Sequence, residues 1–222
     1  FSLQREPHPA NPGRRYLGIC GVGRRYPVVL IRVYVALLAA AKRLYDQYDA
    51  AVDPWMTLVG YFNSIRELGG TRRLVEDDIR TRLRDADIRG LAKRRPPILE
   101  ELTSRRSGVD IPKILDRLEV GFSHADDRYR EDMRKRGLVV DKPDPLDVVL
   151  ATNMISVGVD IDRLSLMAVA GQPKTTAEYI QATSRVGRNH PGLVCTVFNW
   201  ARPRDLSHYE RFEHYHSTFY QQ

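Results

Sequence analysis

Between residues 27 and 48, apolar side chains recur three and four positions apart, at Leu30, Tyr34, Leu37, Leu38, Ala41 and Leu44, with Pro27 at the start. One apolar stripe at that spacing predicts a helix, and proline is favoured in a first helical turn. The pattern changes after Asp53 and Pro54, which mark a turn. Residues 56–62 (MTLVGYF) form a short, unbroken apolar run, as expected of a strand buried on both faces. Similar runs return at 147–152 (DVVLAT), 164–170 (LSLMAVA) and 193–200 (LVCTVFNW), and residues 16–23 are a further candidate strand. Helical patterns lie between them, at 64–90 with an interruption at Gly69 and Gly70, at 111–120, at 126–135 and at 176–186. An aromatic-rich helix is expected over 206–220. Arg94, Arg95, Pro96 and Pro97 read as a linker, 98–104 as a short element after it, and 141–145 as a loop with two prolines.

Short apolar strands alternating with helices predict an α/β fold, a mostly parallel sheet with helices on both faces. Ligands of such sheets gather beyond the carboxyl ends of the strands. The divisions expected are an extension with a long helix at 1–50, part of the same unit, a main domain at 51–202, and a C-terminal helix at 203–222. There is no internal repeat and no low-complexity tract.

A chain of 222 residues with 42% hydrophobic content can bury one good-sized core. It begins at Phe1, so a longer parent protein is expected. Residues 1–15 are polar and proline-rich, unlike a secretory leader. The most apolar stretch, 28–41, contains Arg32 and is too short to span a bilayer. No membrane partner and a cytoplasmic location are therefore expected. Cys20 and Cys195 suit a reducing compartment and have no metal-ligand spacing. His124, His190, His208, His214 and His216 show no zinc-like pattern either, so no metal ligands are expected; His214 and His216 read as surface or packing residues. Lys and Arg outnumber Asp and Glu by 35 to 28, a net charge of +7. That balance favours polyanionic partners, because neutralising phosphates releases condensed counterions. Much of the arginine lies in mixed-charge helical runs such as 72–95, which read as solvated faces.

Two segments carry sharper chemistry. Residues 151–161 (ATNMISVGVDI) directly follow a strand, and 181–188 (QATSRVGR) lie near the end of a helix. The first resembles motif V of superfamily 2 helicases, A-T-N followed by G-x-D-I. The second resembles their motif VI, Q-x-x-S/G-R-x-G-R. Their order and separation strengthen the likeness, which covers 147–200 and, loosely, 56–146. MTLVGYF followed by Asn63 and Ser64 resembles motif IV, and Leu102 to Arg106 (LTSRR) stands where motif IVa would be. The combined style is most similar to large bacterial DNA helicases, including phage-defence helicases of the DISARM type. The resemblance implies the second RecA-like domain of a P-loop NTPase-type engine, with helical extensions.

ATP hydrolysis places charge on the transferring phosphoryl oxygens, and an arginine supplied across an interface can stabilise it. The family pattern implies that Arg185 and Arg188 face the nucleotide, with Arg188 as the finger. Three residues apart on a helical end, they would project in similar directions. Gln181 would contact the γ-phosphate region or position water. The resemblance places Gly158 and Asp160 on the ATP side, Asp160 orienting an arginine or contacting the ribose. It places Thr152 and Asn153 on the nucleic-acid side, where a short hydroxyl at a strand's carboxyl end suits a backbone phosphate. Asn63, Ser64, Thr103, Ser104 and Arg105 are further candidate phosphate contacts. Ordinary alternatives exist for each group: a basic helix end facing its own dipole, turn chemistry, or a helix cap.

No G-x-x-x-x-G-K-[ST] occurs; residues 18–24 (GICGVGR) lack its Lys-Ser/Thr end. No D-E-x-[HD] follows an apolar strand. ATP with Mg²⁺ is therefore expected to be held mainly by a first RecA-like domain outside this chain, which alone should be inactive. The partners implied are that domain and single-stranded or partly duplex DNA. The competing reading is a nucleic-acid-binding module with vestigial helicase motifs. A protein-docking role for Tyr209, Phe212, Tyr215, Phe219 and Tyr220 is the third, although their spacing suits a packing stripe.

Overall fold

The computed structural model describes residues 13–152 and 161–218. Among them, six strands form one sheet: β1 (Arg14–Cys20), β2 (Leu58–Phe62), β3 (Leu99–Leu102), β4 (Val148–Ala151), β5 (Leu166–Ala170) and β6 (Gly192–Phe198). Their order is β1-β6-β5-β2-β4-β3, and every pairing is parallel. In the central register Leu58 sits beside Val148 on one side and Leu166 on the other. Successive strand residues point to opposite faces. Leu58, Phe62, Val148, Leu150, Leu166 and Ala168 thus enter one core layer, whereas Val59, Tyr61, Val149, Ala151, Met167 and Val169 enter the other. This is why those strands are apolar throughout rather than alternating.

The first layer is covered by α1 (Tyr26–Tyr48) and the pair α3 (Ile65–Leu74) and α4 (Arg80–Arg84). The second is covered by α5 (Asp110–Leu118), α7 (Thr176–Thr183) and α9 (Phe212–Thr218). Residues read from the sequence as an extension supply an edge strand, β1, and a helix whose Tyr34 and Leu38 are fully buried. The short α2 (Asp53–Met56) and α6 (His124–Lys135) meet the end of α1 in a smaller cluster with Phe122. After β6, Pro203 opens α8 (Pro203–Glu210), and a break at Arg211 separates it from α9, so the aromatic helix expected over 206–220 is two helices. Phe212 lies over Gly18 of β1 and Tyr215 enters the core, while Phe219 and Tyr220 lie outside the described residues. Phe212 and Tyr215 of the aromatic stripe are therefore packing residues, whereas Tyr209 is exposed beside Phe198.

Two expectations are corrected. Gly69 and Gly70 do not interrupt their helix; both lie inside α3. Burial of Leu68, Val75, Ile79 and Leu83 against the sheet outweighs a propensity cost of about 1 kcal/mol per glycine. The irregularity comes later, as one π-turn at Val75–Ile79. Arg94, read as part of a linker, is one of the most buried charges in the molecule. Its side chain is 2% exposed against an Asp147 that is fully enclosed. Arg94 donates Nε and Nη2 to Asp147 Oδ1 at 3.0 and 2.7 Å, Nη1 to Leu38 O at 3.1 Å and Nη2 to Met56 O at 2.7 Å. Asp147 Oδ2 accepts from Ile98 N at 2.8 Å and pairs with Arg95 at 3.3 Å. A second clamp lies close by. Arg163 grips Asp53 at 2.8 and 2.6 Å and donates to Thr57 Oγ1 and Leu118 O. Both guanidinium groups lie within 6 Å of the Phe122 ring, at 5.7 and 5.8 Å.

Removing one partner of a buried pair leaves the other charge uncompensated, which costs about 3–5 kcal/mol. Arg94→Met should lower the unfolding free energy by about that much in urea titrations. An unchanged urea midpoint would refute this role for the clamp.

Candidate functional site

With all strands parallel, the residues that follow them collect at one edge: Asn63 and Ser64 after β2, Thr103 after β3, Thr152 after β4, Gly171 and Gln172 after β5. The chain leaves β2 along α3 on one face and leaves β5 along α7 on the other. Adjacent strands that diverge in this way open a crevice at their carboxyl ends. A groove of about 380 Å³ lies there, lined by Asn63, Ser64, Ile65, Thr152, Lys174, Glu178 and Gln181.

Each wall has a local cause. Asn63 Nδ2 donates to Ala170 O at 3.2 Å and Gln172 O at 3.3 Å, stitching the ends of β2 and β5 together. Ser64 is extended and its hydroxyl accepts from Glu67 N at 3.2 Å, so it caps α3 while lining the groove. Thr152 is buried, and its amide continues the ladder to Leu102 O at 3.4 Å. Thr175 caps α7 through Glu178 N at 3.1 Å. Glu178 is held in turn by the Tyr61 hydroxyl at 2.8 Å and the Lys174 amide at 3.2 Å. Burial and the adjacent Glu178 carboxylate push the Tyr61 hydroxyl well above the ordinary tyrosine range.

The residues after β3 depart from expectation. Thr103 is fully buried; its hydroxyl accepts from Arg105 N at 3.4 Å and its carbonyl from Arg106 N at 3.1 Å. It folds the turn and presents nothing to a phosphate. Ser104 and Arg105 are exposed at the same edge, outside the groove lining. Arg106 and Arg117 are both drawn to Glu100, at 3.2 and 2.6 Å.

The segment 181–188 also differs in detail. α7 stops at Thr183, so Arg185 and Arg188 lie beyond the helix and the expectation that helical spacing aligns them is corrected. A tethered turn sets their placement instead. Arg14 of β1 donates to Val186 O at 2.5 Å and Ser184 O at 3.1 Å, and Gly187 N donates to Leu164 O at 2.8 Å. Gly187 has φ +69°, and a Cβ there would stand 2.6 Å from Gly192 Cα, which only glycine avoids. Arg185 and Arg188 are partly buried, and Arg188 Nε reaches Ser184 O at 3.4 Å.

α7 runs from the carboxyl edge back toward the start of β5. Gln181, in the last turn of α7, still lines the groove with Thr152, and the arginine turn that follows is fastened to Leu164, before β5 begins. Asn153, Gly158 and Asp160 lie outside the described residues.

Sequence reading missed several contributors. Lys174, Glu178 and Tyr61 carry no motif. Arg14 sits beyond a proline-rich start and meets its partners about 170 positions away. Asp205, buried in the first turn of α8, accepts from Gln172 N at 3.2 Å and Asn199 N at 3.0 Å, joining the ends of β5 and β6. Only its place two residues after Pro203 could have hinted at a helix start. His216 is a packing residue: Nδ1 meets Phe212 O at 2.8 Å, Nε2 meets the Tyr179 hydroxyl at 3.0 Å, and burial lowers its pKa. Among the described residues no three of His, Cys, Asp and Glu cluster as a metal site, and no helix is long and apolar enough to cross a membrane.

Residues 81–190 match the family described as the helicase conserved C-terminal domain. The chain is 46% identical over 213 residues to the DISARM protein DrmA of Bacillus paralicheniformis, a match that covers 94% of this chain and 17% of that protein. Its fold is similar to the DUF1998 helicase MrfA bound to DNA, with a TM-score of 0.56 at 14% identity over 94% of this chain and 23% of that one. The same helicase bound to DNA and AMPPNP gives 0.53 at 15% identity, over 93% of this chain and 22% of that one. The chain thus belongs to the helicase conserved C-terminal domain family, on a RecA-like parallel sheet, and it spans about a sixth of the length of its DISARM relative.

Any side chain at residue 187 must accept a left-handed backbone and collide with Gly192, a strain of about 1–3 kcal/mol or more. Gly187→Ala should lower the melting temperature by several degrees. Calorimetry showing an unshifted transition would remove the close approach of Gly187 and Gly192 as a constraint.

Proposed function

We propose that this domain is the second half of an ATP-driven translocase on single-stranded or partly duplex DNA, supplying an arginine finger and one wall of the strand track. One observation carries the reading: α7 lines the polar groove through Glu178 and Gln181 and leads directly into the tethered arginine turn. The groove sits at the topological switch point, where hydroxyl and amide groups of Ser64, Thr152, Asn63 and Gln181 converge. Such groups suit phosphate and sugar contacts, which position a strand without reading its sequence. Thr152 and Ser64 are the foremost contacts, with Asn63 acting through the edge it stitches. Asn153, Ser104 and Arg105 extend the same edge.

On this reading Arg188, with Arg185, stabilises the charge that develops on the transferring phosphoryl group. The residues present fit that task. Two guanidinium groups stand three positions apart on a turn whose carbonyls are held by Arg14 and whose glycine tolerates no side chain. Their reach is thereby set before nucleotide arrives. ATP with Mg²⁺ supplies the phosphoryl group, and its loop and metal-binding carboxylates belong to a first RecA-like domain, since neither motif occurs in this sequence. Gly158 and Asp160 would complete the nucleotide side. Gln181 follows Thr152 to the strand groove, so its part is to report strand occupancy along α7 to the arginines, with a γ-phosphate contact as the alternative.

In the full-length protein, Arg188→Ala should abolish nucleic-acid-stimulated ATP hydrolysis while leaving single-strand binding largely intact. Wild-type turnover in that variant would rule out the finger. Single-strand affinity should fall steeply from about 50 to 200 mM salt, because phosphate contacts release counterions. Affinity that ignored salt would contradict a phosphate track.

A further inference from the structure

The loop from Gly171 to Thr175 follows β5 and forms the rim of the groove, with Lys174 at its tip. Gly171, Gln172 and Pro173 are buried while Lys174 and Thr175 are exposed, and the loop is held from several sides. Arg204 of α8 spends its guanidinium on the loop's backbone. Nη1 donates to Gln172 O at 3.0 Å, and Nη2 donates to Pro173 O and, at 2.9 Å, to Lys174 O. The neighbouring Asp205 holds Gln172 N at 3.2 Å, and its carboxylate stands 3.0 Å from where a side chain on Gly171, at φ +75°, would begin. Asn63 reaches Gln172 O from the β2 side at 3.3 Å, and Glu178 accepts from Lys174 N at 3.2 Å.

Three consecutive carbonyls on one exposed arginine are not needed to close a five-residue loop. They do prevent the peptides from turning, which sets the direction in which residue 174 leaves the chain. Among the described residues Lys174 is the only basic side chain that lines the groove, and it forms no ion pair there. Glu178, the one carboxylate there among the described residues, has its oxygens engaged by the Tyr61 hydroxyl and the Lys174 amide.

We propose that Lys174 contacts a backbone phosphate of the bound strand, and that Arg204 is a positioning residue that aims it by clamping the 172–174 carbonyls. This rests on the groove being the strand track. A strand threaded past Thr152 and Ser64 would meet two hydroxyl-bearing walls and one ammonium, and the ammonium supplies the charge those hydroxyls lack. Fixing the loop in advance removes the cost of ordering it on binding. Arg204 itself touches only backbone, so its effect should pass through Lys174.

The test uses the full-length protein and a fluorescent oligo(dT), with affinity measured by anisotropy over a salt series. Lys174→Ala should weaken binding and lower the slope of log affinity against log salt by about 0.7, the loss of one single-strand phosphate contact. Lys174→Arg should restore the slope. Arg204→Ala should reproduce the Lys174→Ala slope, and the double variant should lose nothing further. A wild-type slope in Lys174→Ala overturns the proposal. Additive losses in the double variant overturn the positioning role, since Arg204 would then be an independent contact. Wild-type protein that fails to bind the oligonucleotide defeats the strand-track reading itself, a result distinct from salt-dependent binding that ignores Lys174.

Discussion

The buried pair of Arg94 and Asp147 decides where the rest of the molecule can be. Enclosing two charges costs several kcal/mol per ion unless partners replace water. Here the partners are drawn from four parts of the chain: Leu38 on α1, Met56 at the end of α2, Ile98 before β3, and Asp147 itself, immediately before β4. Asp147 also passes its carbonyl to Leu58 N at the start of β2. The starting points of three adjacent strands are thereby tied to one guanidinium. In a parallel sheet a fixed start also fixes the finish, so Thr152 and Asn63 emerge together at the far edge. A buried pair contributes little net stability of its own once desolvation is counted, but breaking one is costly.

The result is a sheet with two unlike ends. The end where strands begin is closed by arginine clamps, Arg94 with Asp147 and Arg163 with Asp53, both near Phe122. The end where strands finish is held by short polar side chains, Asn63, Asp205 and the Ser64 and Thr175 caps, and leaves a groove between β2 and β5. α7 joins the two. On the proposed mechanism it transmits strand occupancy at Gln181 to the turn bearing Arg185 and Arg188. The Arg14 bonds and the close approach of Gly187 to Gly192 tether that turn.

The strands were more legible in the sequence than the polar side chains at their ends. Residues 147–152 and 164–170 were legible as strands because both faces of a parallel sheet are buried and leave no polar alternation. The polar ends were harder. Thr103 looked like Thr152 in sequence, a hydroxyl just past a strand, but it turns inward to close its own loop. Ser64 was legible as a cap and remains one, with its place in the groove added. Arg94 was indistinguishable from the solvated arginines around it, because nothing local marks a guanidinium whose counter-charge is 53 residues away.

The sequence by itself determined the class of fold, the order of its main elements, and the two segments that identify a helicase C-terminal domain. Those properties depend on local periodicity and on residues close together in the chain. Only the tertiary structure decided which charges are buried, where α7 ends, and which side chains share the groove. Each of these depends on groups that approach from distant parts of the chain, as Arg14 does at Val186 and Arg204 at Gln172. Desolvation and directional hydrogen bonding set their energies, and both exist only once the sheet has closed.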